Sequence, residues 1–139
     1  MPAASLKSIA VHAPPPVKPR VQSLHGRHRL AREEHIFALC DGTIDLASAY
    51  FGVSSREVRW LGRSGSADIA RVRQIAMYVV HVVLGLSMAE VARGFGKDRT
   101  TVLHACHLIE DLRDHPEFDR VVQTVERIVS VSLRPRESF

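Results

Sequence analysis

A glycine-rich stretch with a lysine, Gly94 to Thr101 (GFGKDRTT), comes closest in this sequence to phosphate chemistry. A P-loop of the pattern G-x-x-x-x-G-K-[ST] needs a first glycine five residues before the second, and a hydroxyl after the lysine to hold magnesium. Here Val91 occupies the position of the first glycine, and Asp98 follows Lys97. An acidic side chain at that point would repel phosphate. We therefore expect no nucleotide and no other cofactor.

The spacing around these glycines fits the turn of a helix-turn-helix better. A capping box, Ser87-x-x-Glu90, starts a short helix, and a longer helix follows Gly94 and Gly96, which we interpret as turn residues. In such a motif the first turn of the second helix enters the major groove of DNA. The residues presented there would be Asp98, Arg99, Thr100 and Thr101.

The side chains of this first turn suit the edges of bases. Arginine can donate two parallel hydrogen bonds to guanine, aspartate can accept one from cytosine, and a threonine methyl can contact the thymine methyl. A simpler alternative is that Asp98 or Thr100 only caps the helix, in an αα-hairpin with no such role. Capping and DNA contact are compatible, so the geometry favours DNA binding.

The chain from Arg29 onward predicts an all-α domain. Apolar residues recur at steps of three and four, and no alternating run bounded by turn signals predicts a strand. Asp41-Gly42 is expected to break the first helix, and Asp68 to cap the longest one. The predicted helices are Leu30 to Leu39, Ile44 to Phe51, Ser55 to Leu61, a long helix with an inward stripe from Ile69 to Leu86, Met88 to about Gly94, Thr100 to about Asp114, and one marked by Phe118 to Val129.

Length and composition indicate one domain, since 139 residues with 45% apolar content can bury one core. We expect a disordered, basic, proline-rich tail over residues 1–29, a helical domain over 30–133 and a flexible C-terminus over 134–139. The formal charge of +4 favours an anionic partner. Because no run of about 18 apolar residues and no signal-type segment occurs, we expect a cytoplasmic protein with no membrane partner. The DNA binding predicted above would make it nucleoid-associated.

Catalysis has little support in the sequence. The two cysteines, Cys40 and Cys106, do not stand in a metal-binding spacing, and we expect both to pack as small apolar groups. No nucleophile–base pair, carboxylate pair or metal-ligand spacing has periodic support. We expect no enzyme, no catalytic residue and no metal.

One continuous segment, Ala70 to Leu112 (ARVRQIAMYVVHVVLGLSMAEVARGFGKDRTTVLHACHLIEDL), resembles the C-terminal DNA-binding domain of the DnaA family of bacterial replication initiators. The family signature runs R-P-R-Q-x-A-M … S-L-x-E-I-G-x-x-F-G-G-R-D-H-T-T-V-x-H-A, and a weaker similarity extends back to about Thr43. The matching positions are Arg71, Arg73, Gln74, Ala76, Met77, Ser87, Glu90, Phe95, Gly96, Asp98, Thr100, Thr101, Val102, His104 and Ala105.

The resemblance implies recognition of short DnaA-box sequences in double-stranded DNA. It places the base contacts on Asp98, Arg99 and Thr100. The family's phosphate contacts fall on Arg73, Gln74, Thr101 and His104, and a family lysine that approaches the DNA is His81 here. We add Arg63, Arg71 and Lys97 as cations on or near the phosphates.

Four departures from the family bear on this interpretation. The turn is one residue shorter, which could re-aim the second helix, and Arg99 replaces a histidine, which could favour guanine. The loop before the long helix carries only Arg63, where the family has a basic cluster that reaches the minor groove. We expect no ATPase domain in a chain of this length, hence no nucleotide switch.

The resulting hypothesis is a small DNA-binding protein that regulates the initiation of chromosome replication. One alternative is a protein-interaction module that binds the initiator or its inactivating partner. The balance of charges motivates it, because the six basic and six acidic residues from Ala67 to Asp114 cancel. A second alternative is a transcription regulator that uses the same motif at promoters.

Overall fold

The computed structural model describes residues 24–59 and 66–135, and the regular structure within them is entirely helical. The all-α prediction is confirmed. The predicted tail up to residue 23, the residues 136–139 and the candidate site residue Arg63 lie outside the described residues. The helices are α1 (Leu24–Phe51), α2 (Ser55–Arg59), α3 (Ala67–Val82), α4 (Met88–Phe95), α5 (Arg99–Leu112) and α6 (Pro116–Leu133).

The first helix differs from the prediction at both its start and its middle. It begins at Leu24, six residues before Leu30, and it continues through Asp41-Gly42, so the predicted break at this pair was wrong. Gly42 lies inside the helix because α6 packs closely there: a Cβ on Gly42 would lie 3.1 Å from Cδ2 of Leu133. The cost of one glycine in a helix, about 1 kcal/mol, is smaller than the gain from packing a continuous apolar stripe.

The long central helix α3 is capped by a different residue from the one predicted. Ser66 is its N-cap, and the Ser66 hydroxyl accepts a hydrogen bond of 3.2 Å from the backbone N–H of Ile69. Asp68 lies in the first turn instead, where a negative charge is still favourable to the helix. The inward stripe is confirmed, although α3 ends at Val82 and the buried Leu86 lies in the connection that follows.

The core forms where α3 is covered by α1 on one side and α5 on the other, with α6 closing the end. Val79 and Val80 of α3, Val102 and Ile109 of α5 and Val129 of α6 are fully buried. Because these residues fix the axis of α5, they also fix the direction in which its exposed first turn points.

Both cysteines belong to this core, as predicted. Cys40 and Cys106 are free thiols, 0% and 5% exposed. Burial and the charge of Asp41 raise the pKa of the Cys40 thiol to about 12. Burial and the charge of Glu110 raise the pKa of Cys106 to about 11. The thiols are therefore in the unreactive, protonated form at neutral pH. Separately, none of the helices among the described residues has the length and apolar character to cross a membrane.

Candidate nucleic-acid interface

The short helix α4 has the start that the sequence predicts. The Ser87 hydroxyl accepts a hydrogen bond of 3.1 Å from the backbone N–H of Glu90, and the Ser87 N–H donates one of 3.0 Å to the Glu90 carboxylate. This capping box satisfies two backbone donors that would otherwise have no partner within the helix. The N-terminus of α4 is thus fixed independently of any ligand.

The turn after α4 consists of Gly96, Lys97 and Asp98. Gly96 has φ of +61°, in the left-handed region that glycine adopts without strain. The Lys97 N–H donates a hydrogen bond of 2.9 Å to the Ala92 carbonyl, which closes the end of the helix as in a Schellman motif. Two helices joined by a three-residue glycine-containing turn form a helix-turn-helix.

Gly94 has a different role from the one predicted. It lies inside α4, so its interpretation as a turn residue was wrong. A Cβ on Gly94 would lie 2.2 Å from Sγ of Cys40, which means that α4 and α1 approach each other too closely for any side chain. Gly94 therefore sets the distance between the first helix of the motif and α1.

The first turn of α5 exposes the predicted base-reading residues together. Asp98 is the N-cap of α5, and Arg99 and Thr100 follow as its first two residues. All three are exposed, and the Asp98 side chain makes no capping hydrogen bond. The capping alternative thus holds for the position of Asp98 but not for its side chain. Val102 on the opposite face is fully buried, so α5 turns its polar start outward.

Lys97 and Arg73 bring positive charge to this turn. Burial, followed by the positive charge of Arg73, lowers the pKa of Lys97. The positive charge of each therefore acts on the other, and an anion bound nearby would be stabilised by both. Thr101 and His104, the other predicted backbone contacts on α5, are both exposed.

The guanidinium of Arg73 makes contacts that the sequence does not predict. Its Nε donates a hydrogen bond of 2.7 Å to the Val58 carbonyl, and Nη2 donates one of 3.2 Å to the Glu57 carbonyl. These carbonyls belong to the last turn of α2. Burial lowers the pKa of Arg73.

The remaining predicted contacts on α3 are half-buried and bonded within the protein. Arg71 donates a hydrogen bond of 3.1 Å to the side-chain oxygen of Gln74, which holds both side chains on one face. A ring nitrogen of His81, Nδ1, lies 2.7 Å from the Leu86 carbonyl. His81 thus ties the end of α3 to the following connection, and its approach to DNA stays a prediction.

The tertiary structure separates charges that cancel along the sequence. Arg93 pairs with Glu33 of α1 at 3.0 Å, and Arg113 pairs with Asp119 and Glu126 of α6 at 2.6 and 2.8 Å. Two of the six cations are thus paired with carboxylates of other helices. Lys97 and Arg99 lie in the turn and at the start of α5, and Arg73 lines the cleft beside the turn. The acidic residues Glu110, Asp111 and Asp114 lie at or beyond the C-terminal end of α5.

A cleft beside the turn was not predicted at all. It lies between α1, α2 and the end of α4, with Phe37, Ile44, Val58 and Phe95 among its apolar lining. Three arginines also line it, namely Arg59, Arg73 and Arg93. Residues so far apart in the chain share no motif or period, so no sequence signal could have brought them together.

A capped short helix, a three-residue turn and a second helix with an exposed polar first turn define a helix-turn-helix domain of the DNA-binding type. Residues 41–109 match the family described as "Bacterial dnaA protein helix-turn-helix". Through these residues the chain belongs to the bacterial DnaA helix-turn-helix family.

Individual relatives agree with this assignment. The chain is 33% identical, over 70% of its length, to the chromosomal replication initiator protein DnaA of a Synechococcus species. It is 33% identical, over 61% of its length, to the DnaA protein of Lachnoclostridium phytofermentans. It spans only 21% and 19% of these two curated relatives.

Two solved structures share the fold. One is described as a crystal structure of a DNA replication initiation factor, with a TM-score of 0.66, 26% identity and coverage of 81% of this chain and 34% of that one. The other is described as replication initiator DnaA bound to AMPPCP and single-stranded DNA, with a TM-score of 0.63, 26% identity and coverage of 78% and 33%. The similarity thus covers most of this chain but about a third of each of these two structures.

Proposed function

We propose that this protein binds double-stranded DNA at DnaA-box-like sites and thereby regulates the initiation of chromosome replication. The observation that carries the proposal is the first turn of α5, where Asp98, Arg99 and Thr100 are exposed side by side at the end of a fixed helix. Such a turn fits the major groove, where each of these side-chain types has a base edge to bind.

The charges around this turn support the same proposal. Lys97 lies in the turn that leads into it, and Thr101 and His104 continue the exposed face of α5. Cations and hydroxyl groups flanking a base-reading turn can hold the phosphate backbone in register. Arg99 in place of the family histidine would favour guanine at the position that it contacts. Arg63 remains a further candidate for the backbone.

A fluorescence anisotropy titration tests this function. The protein is titrated into a labelled duplex that carries a DnaA box and, as the control, into a duplex of the same composition with the box scrambled, both at one stated salt concentration. We expect at least about tenfold tighter binding to the box, since a single good base contact contributes about 1–3 kcal/mol. Equal affinity for both duplexes would overturn site-specific recognition.

A second candidate function is binding to the initiator or to one of its regulators. Apolar surface at another part of the molecule favours it: Val82 and Val131 are 49% and 66% exposed, and Val82 lines a groove with Leu84 and Leu133. Capture of the initiator by the tagged protein after nuclease treatment, and its loss in Val82→Asp, would support this role. Genome-wide footprints at promoters but not at the origin would instead indicate transcription regulation.

A further inference from the structure

The short helix α2 is attached to the rest of the domain by two arginines. Arg59, its last residue, donates hydrogen bonds to α1, at 2.8 Å to the Asp45 carboxylate and 3.2 Å to the Asp41 carbonyl. From the other side, Arg73 of α3 donates to the Val58 and Glu57 carbonyls at 2.7 and 3.2 Å. A helix of five residues is too short to be stable alone, so these contacts and the buried Val58 determine where it lies.

The Arg73 contacts have the chemistry of a helix C-cap. The last carbonyls of a helix have no acceptor role within it, and a cation that donates to them also interacts favourably with the partial negative charge of the helix end. Arginine can reach two carbonyls at once because its guanidinium is planar and carries several N–H donors, whereas the single ammonium of lysine is a point charge. This geometry occupies Nε and one N–H of Nη2, which is the pair of donors that a side-on bidentate phosphate contact would use.

Arg73 also acts on the turn of the helix-turn-helix. Its positive charge lies close enough to Lys97 to lower the pKa of that lysine, and the bonds to α2 keep the guanidinium in this place. The charge beside the turn is therefore fixed before DNA arrives. The helix α2 also lies beside this turn, because Val58, Arg73 and Gly96 line the same cleft.

We infer that Arg73 is a positioning residue: it holds α2 against α3 and beside the turn, instead of pairing directly with a phosphate. This inference rests on the proposed DNA binding for its effect on affinity. It does not depend on DNA for its effect on α2. The two parts can therefore be measured separately.

The first test compares Arg73→Lys and Arg73→Ala in box-duplex titrations at several salt concentrations. We expect both variants to bind about tenfold more weakly than the unmodified chain, because neither can hold α2. We expect the slope of log affinity against log salt to be unchanged. Arg71→Ala, which removes a cation from the same helix, is the matched control and should reduce that slope by about 0.9 for the loss of one phosphate contact.

Three results of this test would overturn the inference. Wild-type affinity in Arg73→Lys would mean that the charge alone suffices, as in a direct phosphate contact. A slope reduced by about 0.9 in Arg73→Ala would mean the same. Unchanged affinity in both variants would leave Arg73 without influence on DNA binding and would also contradict the inference.

The second test is hydrogen exchange of backbone amides in the free protein, followed by NMR. In Arg73→Lys we expect faster exchange at the Val58 amide, which bonds to the Ser54 carbonyl at 3.1 Å. The Val91 amide of α4, bonded to the Ser87 carbonyl at 2.9 Å, is the internal control and should not change. If the unmodified chain does not prefer the box, the proposed function fails, and this exchange alone decides: faster exchange at Val58 supports the anchoring and unchanged exchange overturns it.

Discussion

At its N-terminal end α5 leaves Asp98, Arg99 and Thr100 exposed, whereas near its C-terminal end it is joined to two neighbouring helices. There Arg113 bonds to Asp119 and Glu126 of α6 and donates a hydrogen bond of 3.1 Å to the Tyr78 hydroxyl of α3. The difference shows how a binding helix is prepared: one end is fixed by the protein, and the other is left with polar groups for a partner.

The fixed end is also an electrostatic network. The Tyr78 hydroxyl donates a hydrogen bond of 2.6 Å to the Glu110 carboxylate, and the Arg113 guanidinium lies 5.7 Å from the centre of the Tyr78 ring. Burial, then the bond to Glu110, raises the pKa of Tyr78 to about 12. Although burial lowers the pKa of Arg113, its bonds to Asp119 and Tyr78 raise it overall. Both groups therefore keep their protons, and the network persists, across the physiological range of pH.

The largest loss of stability is expected from a substitution where α4 contacts α1. Gly94→Ala places a Cβ 2.2 Å from Cys40 Sγ, so the helices must separate, and we expect a loss of about 3 kcal/mol in the free energy of unfolding. Urea denaturation followed by circular dichroism measures it. The double variant Gly94→Ala, Cys40→Ala should recover part of the loss. An unchanged unfolding free energy in Gly94→Ala would contradict the close approach.

Arg113→Ala removes the contacts that hold the C-terminal end of α5. Asp119, Glu126 and the Tyr78 hydroxyl then lose a shared partner in a partly buried place, and we expect a loss of about 2 kcal/mol in the free energy of unfolding. Thermal denaturation measures the change, and Arg120→Ala on exposed α6 surface is the control. Equal stability of the two variants would show that the network does not hold α5.

Arg99→Ala tests the role of the exposed N-terminal end of α5 in DNA binding. Because Arg99 is exposed and outside the core, we expect the free energy of unfolding of the variant to stay within about 0.5 kcal/mol of that of the unmodified chain. We expect binding to the preferred DNA site to weaken by about 1–2 kcal/mol. Anisotropy titrations with preferred and scrambled duplexes separate the two effects, since only the preferred site should be affected. An equal loss on both duplexes would make Arg99 a phosphate contact.

The smallest change in the free energy of unfolding is expected for variants at the caps of α4 and α5. Ser87→Ala removes a hydrogen bond that is made, at a cost of about 1 kcal/mol in the free energy of unfolding. Asp98→Ala removes a carboxylate that makes no capping bond and only interacts with the helix dipole, so we expect about 0.5 kcal/mol. Urea denaturation of both variants measures the difference. A larger loss for Asp98→Ala would mean that its side chain serves the helix and not a partner.

Local signals predicted much of the fold. The capping box at Ser87 and Glu90, the start of α2 at Ser55 and the inward stripe of α3 are confirmed, because each depends on residues only a few positions apart. The predicted break at Gly42 was wrong because Leu133 of α6 packs closely against α1 at the point where Gly42 has no side chain. Gly94 was misplaced for a similar reason, since its neighbour Cys40 is distant in the chain.

By itself, then, the sequence determined the all-α class, the helix-turn-helix and the family, since capping and helical periodicity are short-range and the family signature is continuous. Only the tertiary structure decided which polar groups are exposed without a capping bond and which are bonded to other helices. It brought Arg73 to the end of α2 and Arg113 to α6, and it left Asp98 without a capping bond. The physical reason is that a charged or hydrogen-bonding group pairs with whichever partner lies near it in space, and a short-range sequence pattern does not encode that proximity.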